Sequence, residues 1–274
     1  MAELTETAQN ETLVGRKEEL RELLAAIHKR ESRLVWGPVD VGKTALIKKA
    51  ISELPEAERQ NCVYSSGPVS RRKLLSHFVG RLYELGDVWV RKKVHADGAT
   101  EVSLNRWLQK QTSLRLRGIL FTASMQGDYR FFIDHFSTPT YSIARLMKEI
   151  IYQCKTPIYL AALDHSQAET GYAWSLYWSD ALRIHVGPLN QRMARQLLEN
   201  CIRSFGLDSL DLEGFREEIL RVSGHVPGSI VKMCELASQD RYHYGDQIKF
   251  KLVYLDYLTQ ANRASFARVQ TLAS

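Results

Sequence analysis

The chain has 274 residues, of which 45% are hydrophobic and 25% charged, and its formal net charge is +6. These proportions are those of an ordinary soluble globular protein. No apolar run in the sequence approaches the roughly 18 residues that a membrane-spanning helix needs, so we expect no membrane insertion. The length suggests one large domain or two small ones.

The cysteines and the N-terminus together predict a cytoplasmic protein. The four cysteines are scattered, and no two of them form a C-x-x-C pair. We therefore expect reduced thiols and a cytoplasmic location rather than a disulfide framework or a metal site. Residues 1–13 are polar and acidic, which predicts a disordered lead-in and not a signal peptide.

A turn and an amphipathic helix come first. After Val14, Gly15 and Arg16, apolar residues recur at positions 20, 23, 24 and 27, which is the spacing of one helix face. The apolar run at 34–36 then predicts a short strand.

The stretch 34–45, LVWGPVDVGKTA, contains the pattern G-x-x-x-x-G-K-[ST] between a strand and a helical pattern. That context is the one a phosphate-binding loop requires, because backbone N–H groups and the helix N-terminus together surround a polyphosphate. Lys43 would reach the β- and γ-phosphates, and the Thr44 hydroxyl would ligate Mg²⁺. The predicted nucleotide contacts are Gly37, Pro38, Val39, Asp40, Val41, Gly42, Lys43, Thr44 and Ala45. Asp40 stands where many such loops have glycine, so its carboxylate must either point away from the phosphates or weaken their binding.

The order of a Val-Gly-Arg turn, a helix and a phosphate-binding loop resembles the start of AAA+ and STAND ATPases, especially their origin-recognition-like and archaeal-ATPase-like branches. The resemblance implies ATP or ADP with Mg²⁺ as cofactors. It also implies that the turn lies against adenine, which makes Val14, Gly15 and Arg16 candidate base and ribose contacts. No guanine-reading N-K-x-D pattern occurs in the sequence.

The middle of the chain predicts a strand at 61–66, a helix at 71–85 with Ser70 as its N-cap, and a helix at 104–125. The polar and basic stretch 87–101 between those helices is expected to be a loop or a poorly packed excursion. Two basic clusters, at 71–73 and 91–93, are either solvated surfaces or contacts to nucleic acid.

An apolar run at 129–133 ends in Asp134, the pattern of a fully buried parallel strand followed by an acid. The resemblance makes Asp134 the Walker B aspartate, which positions Mg²⁺ through water. AAA+ enzymes usually follow that aspartate with a glutamate that polarises the attacking water, whereas this chain has His135. Histidine can act as a base, but a neutral imidazole is a poorer one than a fixed carboxylate, so we expect hydrolysis to be absent, slow or completed by another group. An aspartate that only caps the next turn is the alternative.

A second buried strand at 158–163 ends in Asp164, His165 and Ser166. The resemblance places there the polar side chain that senses the γ-phosphate, and the sequence does not choose among the three residues. Period-two alternation at 182–186 predicts the last strand.

The chain after residue 189 reads as helices. The turn at 223–229 resembles the start of the lid helix in origin-recognition-like and STAND ATPases, which makes Pro227 and Gly228 candidate nucleotide contacts. That motif contains no arginine, and Lys232 is the nearest cation.

Alternating strands and helices predict an α/β fold: a P-loop (RecA-like) parallel β-sheet sandwiched by helices, followed by a small all-α lid domain. The expected division is a nucleotide-binding core at 14–189, a helical lid at 190–262 and a tail at 263–274. Ligands of such sheets bind beyond the carboxyl ends of the strands, where both the loop and Asp134 lie.

Three functions fit these features. The first is a weak Mg²⁺-dependent ATPase that acts as a nucleotide-driven switch or remodelling subunit, with Lys43, Asp134 and His135 as catalytic residues and Thr44 and Asp134 as metal-site residues. Its partner would be another protein or further copies of the chain. The second is a DNA-associated AAA+ helper for replication or transposition, motivated by the positive charge. The third is a nucleotide-stabilised scaffold without turnover, motivated by His135.

Overall fold

The computed structural model describes residues 13–67, 70–137 and 139–273, with side chains described to residue 262. The predicted lead-in at 1–13 lies, except for Leu13, outside the described residues. Within the described ranges, no helix combines the length and the apolar character needed to cross a bilayer.

The centre of the molecule is a five-stranded parallel sheet, as the alternation of apolar runs and helices predicts. Its strands stand in the order β2-β3-β4-β1-β5. The strands are β1 Arg33–Trp36, β2 Cys62–Ser65, β3 Arg130–Phe136, β4 Ile158–Ala162 and β5 Arg183–His185. All residues of β4 are buried, which explains why that strand reads as a continuous apolar run.

Helices connect these strands and cover the sheet. They are α1 Lys17–His28, α2 Lys43–Glu53, α3 Glu56–Arg59, α4 Arg71–Glu84, α5 Val88–Ala96, α6 Leu104–Lys110, α7 Ser113–Gln126, α8 Tyr141–Tyr152 and α9 Gln167–Thr170. On one face of the sheet Phe131 stacks on Phe78 of α4, with ring centroids 4.4 Å apart. On the other face Phe132 stacks on Tyr159 at 4.7 Å. Successive residues of β3 thus enter different layers of the core.

The prediction of a loop at 87–101 is wrong for most of that stretch, because α5 occupies Val88–Ala96. Asp87 caps this helix by accepting a hydrogen bond from the N–H of Val90, and Val90 and Val94 are both fully buried. Two fully buried apolar residues at i and i+4, with the partly buried Trp89 beside them, are enough to dock this short helix.

The single helix predicted at 104–125 is divided in two. Gln111 has an extended backbone with ψ of 145°, and Thr112 caps α7 by accepting from the N–H of Arg115. A threonine hydroxyl that bonds to a backbone N–H three residues ahead begins a new helix rather than continuing the old one.

The described chain divides into two compact units. One contains Arg16–Val39 and Lys43–Val186, and therefore the whole sheet. The other contains the chain from Gly187, the N-terminal segment up to Gly15, and Asp40–Gly42. We call the second the helical unit. It has its own hydrophobic core, and its elements are α10 Gln191–Ser204, α11 Phe215–Ser223, α12 Pro227–Ala237, β6 His243–Tyr244, β7 Gln247–Ile248 and α13 Phe250–Ala273. Helix α13 continues through the segment where we expected a tail.

Candidate nucleotide-binding site

The loop between β1 and α2 has the backbone of a glycine-dependent turn. Gly42 has φ of +97°, and a Cβ added there would meet no atom within 4 Å. Asp40 also has a positive φ, +62°, which aspartate tolerates better than most residues. Helix α2 begins at Lys43. The first N–H groups of that helix have no partner within the helix and carry partial positive charge, which suits an anion.

The ammonium group of Lys43 lies against the same loop. It donates hydrogen bonds to the carbonyl oxygens of Gly37 and Pro38, each at 2.7 Å. The lysine charge is thereby held over the loop, where the sequence pattern predicts contact with phosphates.

Thr44 and Asp134, which are 90 positions apart, are joined by a hydrogen bond. The Thr44 hydroxyl donates to Asp134 Oδ2 at 2.6 Å. Because β4 separates β1 from β3 in the sheet, this bond spans the carboxyl edge of an intervening strand. Asp134 is only 1% exposed. The two residues predicted to hold the metal are therefore adjacent.

Asp134 accepts two further hydrogen bonds. The Tyr64 hydroxyl donates to the same oxygen, Oδ2, at 2.7 Å, and the backbone N–H of His135 donates to Oδ1 at 2.8 Å. Burial, together with donation to the Asp134 carboxylate, raises the pKa of Tyr64 far above its usual value. Tyr64 thus remains a neutral donor. The sequence did not point to this residue, because it lies on β2 and has no motif around it.

A β-bulge forms the end of β3. Ile133 pairs with Leu160 and Phe136 with Ala162, so β3 has one more residue than β4 in this interval. His135 lies in the bulge with φ of +50°, and its side chain is 58% exposed. Its Nε2 is 3.7 Å from Asp134 Oδ2, which is too long for a hydrogen bond. Bulges beside functional sites commonly redirect a side chain in this way.

The ends of β1, β4 and β5 carry a cluster of rings. The ring centroid of Trp36 lies 4.3 Å from that of His165 and 4.2 Å from that of His185. Burial alone would raise the pKa of Asp164, but hydrogen bonds from the His165 N–H and from Ser166 outweigh it and lower that pKa. Asp164, His165 and Ser166 all stay candidates for the residue that senses a γ-phosphate.

The Val-Gly-Arg turn divides between the two units. Val14 packs against the core of the helical unit, and a Cβ at Gly15 would lie 2.8 Å from the side chain of Met193. Arg16 is 4% exposed and donates to Glu19 at 3.0 Å. That Val14, Gly15 and Arg16 contact adenine and ribose remains a prediction.

Within the helical unit, Asp40 has two partners. The N–H of Gly228 donates to the Asp40 carbonyl at 2.9 Å, and Lys232 Nζ donates to Asp40 Oδ2 at 2.5 Å. Pro227 is the first residue of α12, where its missing N–H costs nothing. The sequence marks Asp40 and Lys232 separately as unusual, but their 192-residue separation gives no sign that they pair.

The residues present fit a magnesium–nucleotide. Hydroxyl and carboxylate oxygens are hard donors of the kind Mg²⁺ prefers, and Mg²⁺ usually keeps water and phosphate oxygens as its remaining ligands. Among the described residues, no group of three or more His, Cys, Asp and Glu that could hold a metal ion is present.

Comparisons with known proteins agree with this architecture. Neither a protein-family model nor a curated protein sequence matches the chain. Among solved structures, a Walker-type ATPase of Pyrococcus abyssi is similar with a TM-score of 0.61 and 15% identity, covering 95% of this chain and 76% of that one. The Orc1 protein of Aeropyrum pernix, solved in complex with DNA, is similar with a TM-score of 0.61 and 12% identity, covering 95% and 69%. The chain therefore has the α/β fold of these P-loop proteins.

Proposed function

We propose that the chain binds ATP with Mg²⁺ and hydrolyses it slowly, acting as a nucleotide-driven switch or remodelling subunit in the cytoplasm. The observation that carries this proposal is the hydrogen bond of 2.6 Å between Thr44 and Asp134 beside the glycine loop. Two oxygen atoms that could serve as Mg²⁺ ligands thus lie together at the carboxyl edge of a parallel sheet, where nucleotides bind in such folds.

The chain supplies three contributions to binding. The N–H groups at the start of α2 and the ammonium of Lys43 would hold the phosphates by charge-assisted hydrogen bonds. Thr44 and Asp134 would hold Mg²⁺, directly and through water. When bound, Mg²⁺ neutralises charge on the β- and γ-phosphate oxygens.

Turnover depends on a group that orients water. His135, which stands where a glutamate is usual, has an exposed ring. An imidazole in contact with solvent is positioned less firmly than a buried carboxylate, so slow phosphate release is expected. ATP would then act mainly by favouring one conformation, since a ligand shifts an equilibrium only by its differential affinity.

The test is equilibrium binding of a fluorescent ATP analogue together with phosphate release. Lys43→Ala should abolish binding, and Asp134→Asn should reduce Mg²⁺-dependent turnover while leaving Mg²⁺-free binding close to wild type. Lys49→Ala is the matched control, because Lys49 lies on the same helix and forms only an exposed pair with Glu53 at 3.3 Å.

Unchanged ATP binding by Lys43→Ala would show that the assigned loop is not the site. Binding without phosphate release would favour the nucleotide-stabilised scaffold. Size analysis with and without ATP would test whether the partner is a second copy of the chain.

A DNA-associated role is the second candidate, and the distribution of charge favours it. Residues 70–126 contain eleven Lys and Arg against four Asp and Glu, a net charge of +7, whereas the whole chain carries +6. All of the excess positive charge thus belongs to helices α4 to α7.

Hydrogen bonds and an ion pair bring part of this charge together. Arg72 donates to the carbonyl of Leu108 at 3.5 Å and to that of Gln109, which precedes the exposed Lys110. Arg115 pairs with Asp97 at 2.6 Å. The beginning of α4 therefore lies close to the end of α6, and the beginning of α7 lies close to the end of α5.

Fluorescence anisotropy with a labelled duplex, repeated over a range of salt, tests this role. Arg106 and Lys110 are both exposed on α6. Arg106→Gln combined with Lys110→Gln should weaken binding and reduce the salt slope, by about 0.9 for each phosphate that the variant no longer neutralises. A variant with Lys48→Gln and Lys49→Gln on α2 removes the same charge elsewhere and should bind like wild type. Absence of duplex binding at low salt would eliminate the DNA role.

A further inference from the structure

Asp134 is held by a tyrosine from the neighbouring strand. Tyr64 on β2 donates its hydroxyl to Asp134 Oδ2 at 2.7 Å, and the same oxygen accepts from Thr44 at 2.6 Å. This one carboxylate oxygen thus accepts one hydrogen bond from the helix that follows the glycine loop and another from the neighbouring strand.

The register of the sheet produces this contact. Tyr64 pairs with Phe132, and Phe132 precedes Asp134 by two residues. Side chains alternate along a strand, and paired residues of parallel strands share a face, so Tyr64 and Asp134 project to the same side. The β2 backbone is held there by pairing with β3 and by a contact of 2.9 Å between His77 Nε2 and the Tyr64 carbonyl.

We propose that Tyr64 is a positioning residue that holds the Asp134 carboxylate in the orientation required for binding the magnesium–nucleotide. The proposal rests on the proposed function and adds to it a residue that does not itself touch nucleotide or metal.

The physical reason lies in what each donor can do when a cation is near. Thr44 would turn an oxygen lone pair toward Mg²⁺, which constrains where its hydrogen points. Tyr64 has no such second task, so its hydrogen bond can fix the carboxylate rotamer throughout. Loss of a comparable outer partner typically weakens metal affinity by roughly 10- to 100-fold.

Tyr64→Phe is the informative variant, because it removes the hydroxyl and keeps the ring. Titration of Mg²⁺ against a fixed fluorescent ATP analogue gives an apparent Mg²⁺ affinity without requiring turnover. We expect that affinity to fall about tenfold in Tyr64→Phe, while nucleotide affinity in EDTA stays at the wild-type value.

Tyr129→Phe is the matched control. Tyr129 also donates to a carboxylate, Asp87 Oδ2, at 2.6 Å, and it precedes β3, at the opposite edge of the sheet from Asp134. It should affect stability as much as Tyr64→Phe does and leave the Mg²⁺ titration unchanged.

A double-mutant cycle then separates an effect through Asp134 from a general effect on the fold. In an Asp134→Asn background, Tyr64→Phe should cause no further loss of Mg²⁺ affinity. An unchanged Mg²⁺ titration for Tyr64→Phe, or an additive cycle, would overturn the positioning role, while wild-type binding that depends on Lys43 would leave the proposed function intact. Failure of wild type to bind any nucleotide would remove both.

Discussion

Gly67→Ala should displace the bulge that carries Asp134. Gly67 follows β2 with φ of +103°, and a Cβ there would lie 3.1 Å from the carbonyl oxygens of both Asp134 and His135. These oxygens belong to the backbone, so they cannot swing aside as the end of a flexible side chain would. The bulge itself must move by about a few tenths of an ångström.

The expected cost has two parts. A left-handed backbone costs an alanine roughly 1–2 kcal/mol relative to glycine. Displacing two carbonyls in a packed strand adds about 1 kcal/mol, so the free energy of unfolding should fall by about 2–3 kcal/mol. Gly98→Ala isolates the first part, because Gly98 has φ of +72° and its Cβ would meet no atom within 4 Å.

Urea unfolding of the two variants measures that difference, and the Mg²⁺ titration measures its consequence at the site. Gly67→Ala should be the less stable by about 1 kcal/mol and should also show weaker Mg²⁺-dependent nucleotide binding, since sub-ångström displacement of a ligand group is costly. Equal stabilities and equal Mg²⁺ titrations for both variants would refute the idea that this close approach holds the site together.

Three further outcomes are expected. Asp40→Gly removes a negative charge and a positive-φ side chain from the glycine loop, so affinity for an ATP analogue should rise several-fold at low salt and less at high salt; unchanged affinity would mean that the carboxylate lies too far from the phosphates to matter. Burial raises the pKa of Cys62 from 9.0 to about 11, so this thiol stabilises the fold below pH 9, and that stabilisation is lost as the pH rises through about 11. Between pH 9 and 11, the unfolding free energy from urea titrations should therefore fall by about 2–3 kcal/mol less in Cys62→Val than in wild type. Parallel plots of unfolding free energy against pH for the two proteins would contradict the raised pKa of Cys62. His135→Glu should raise phosphate release without changing nucleotide affinity, and release at or below the wild-type rate would show that position 135 does not face the attacking water.

The parts of the site that could be predicted from the sequence are those encoded locally. The glycine pattern from Gly37 to Thr44 specifies a turn and the start of a helix within eight residues, and the apolar run before Asp134 identifies a buried strand. Because both segments end strands of one parallel sheet, their proximity follows from topology without any knowledge of register.

Tyr64 could not be identified in the same way. Its contact with Asp134 depends on β2 pairing with β3 in one register, in which Tyr64 lies opposite Phe132. A shift of one residue would turn the tyrosine to the other face, and nothing in the local sequence around either strand specifies the pairing. Helix α5 cannot be predicted for a different reason, since only Val90 and Val94 of its nine residues are buried.

The bulge explains how a polar residue can follow Asp134 at all. In a regular strand residue 135 would share the face of Phe131 and Ile133, whose side chains are fully buried in the apolar core. The extra residue instead returns Phe136 to that core and turns His135 to solvent. A glutamate at 135 would need the same bulge to avoid burial of its charge. The geometry that makes a water-orienting residue possible is therefore independent of which residue occupies position 135, and it depends on the glycine at 67 that lets the two carbonyls approach.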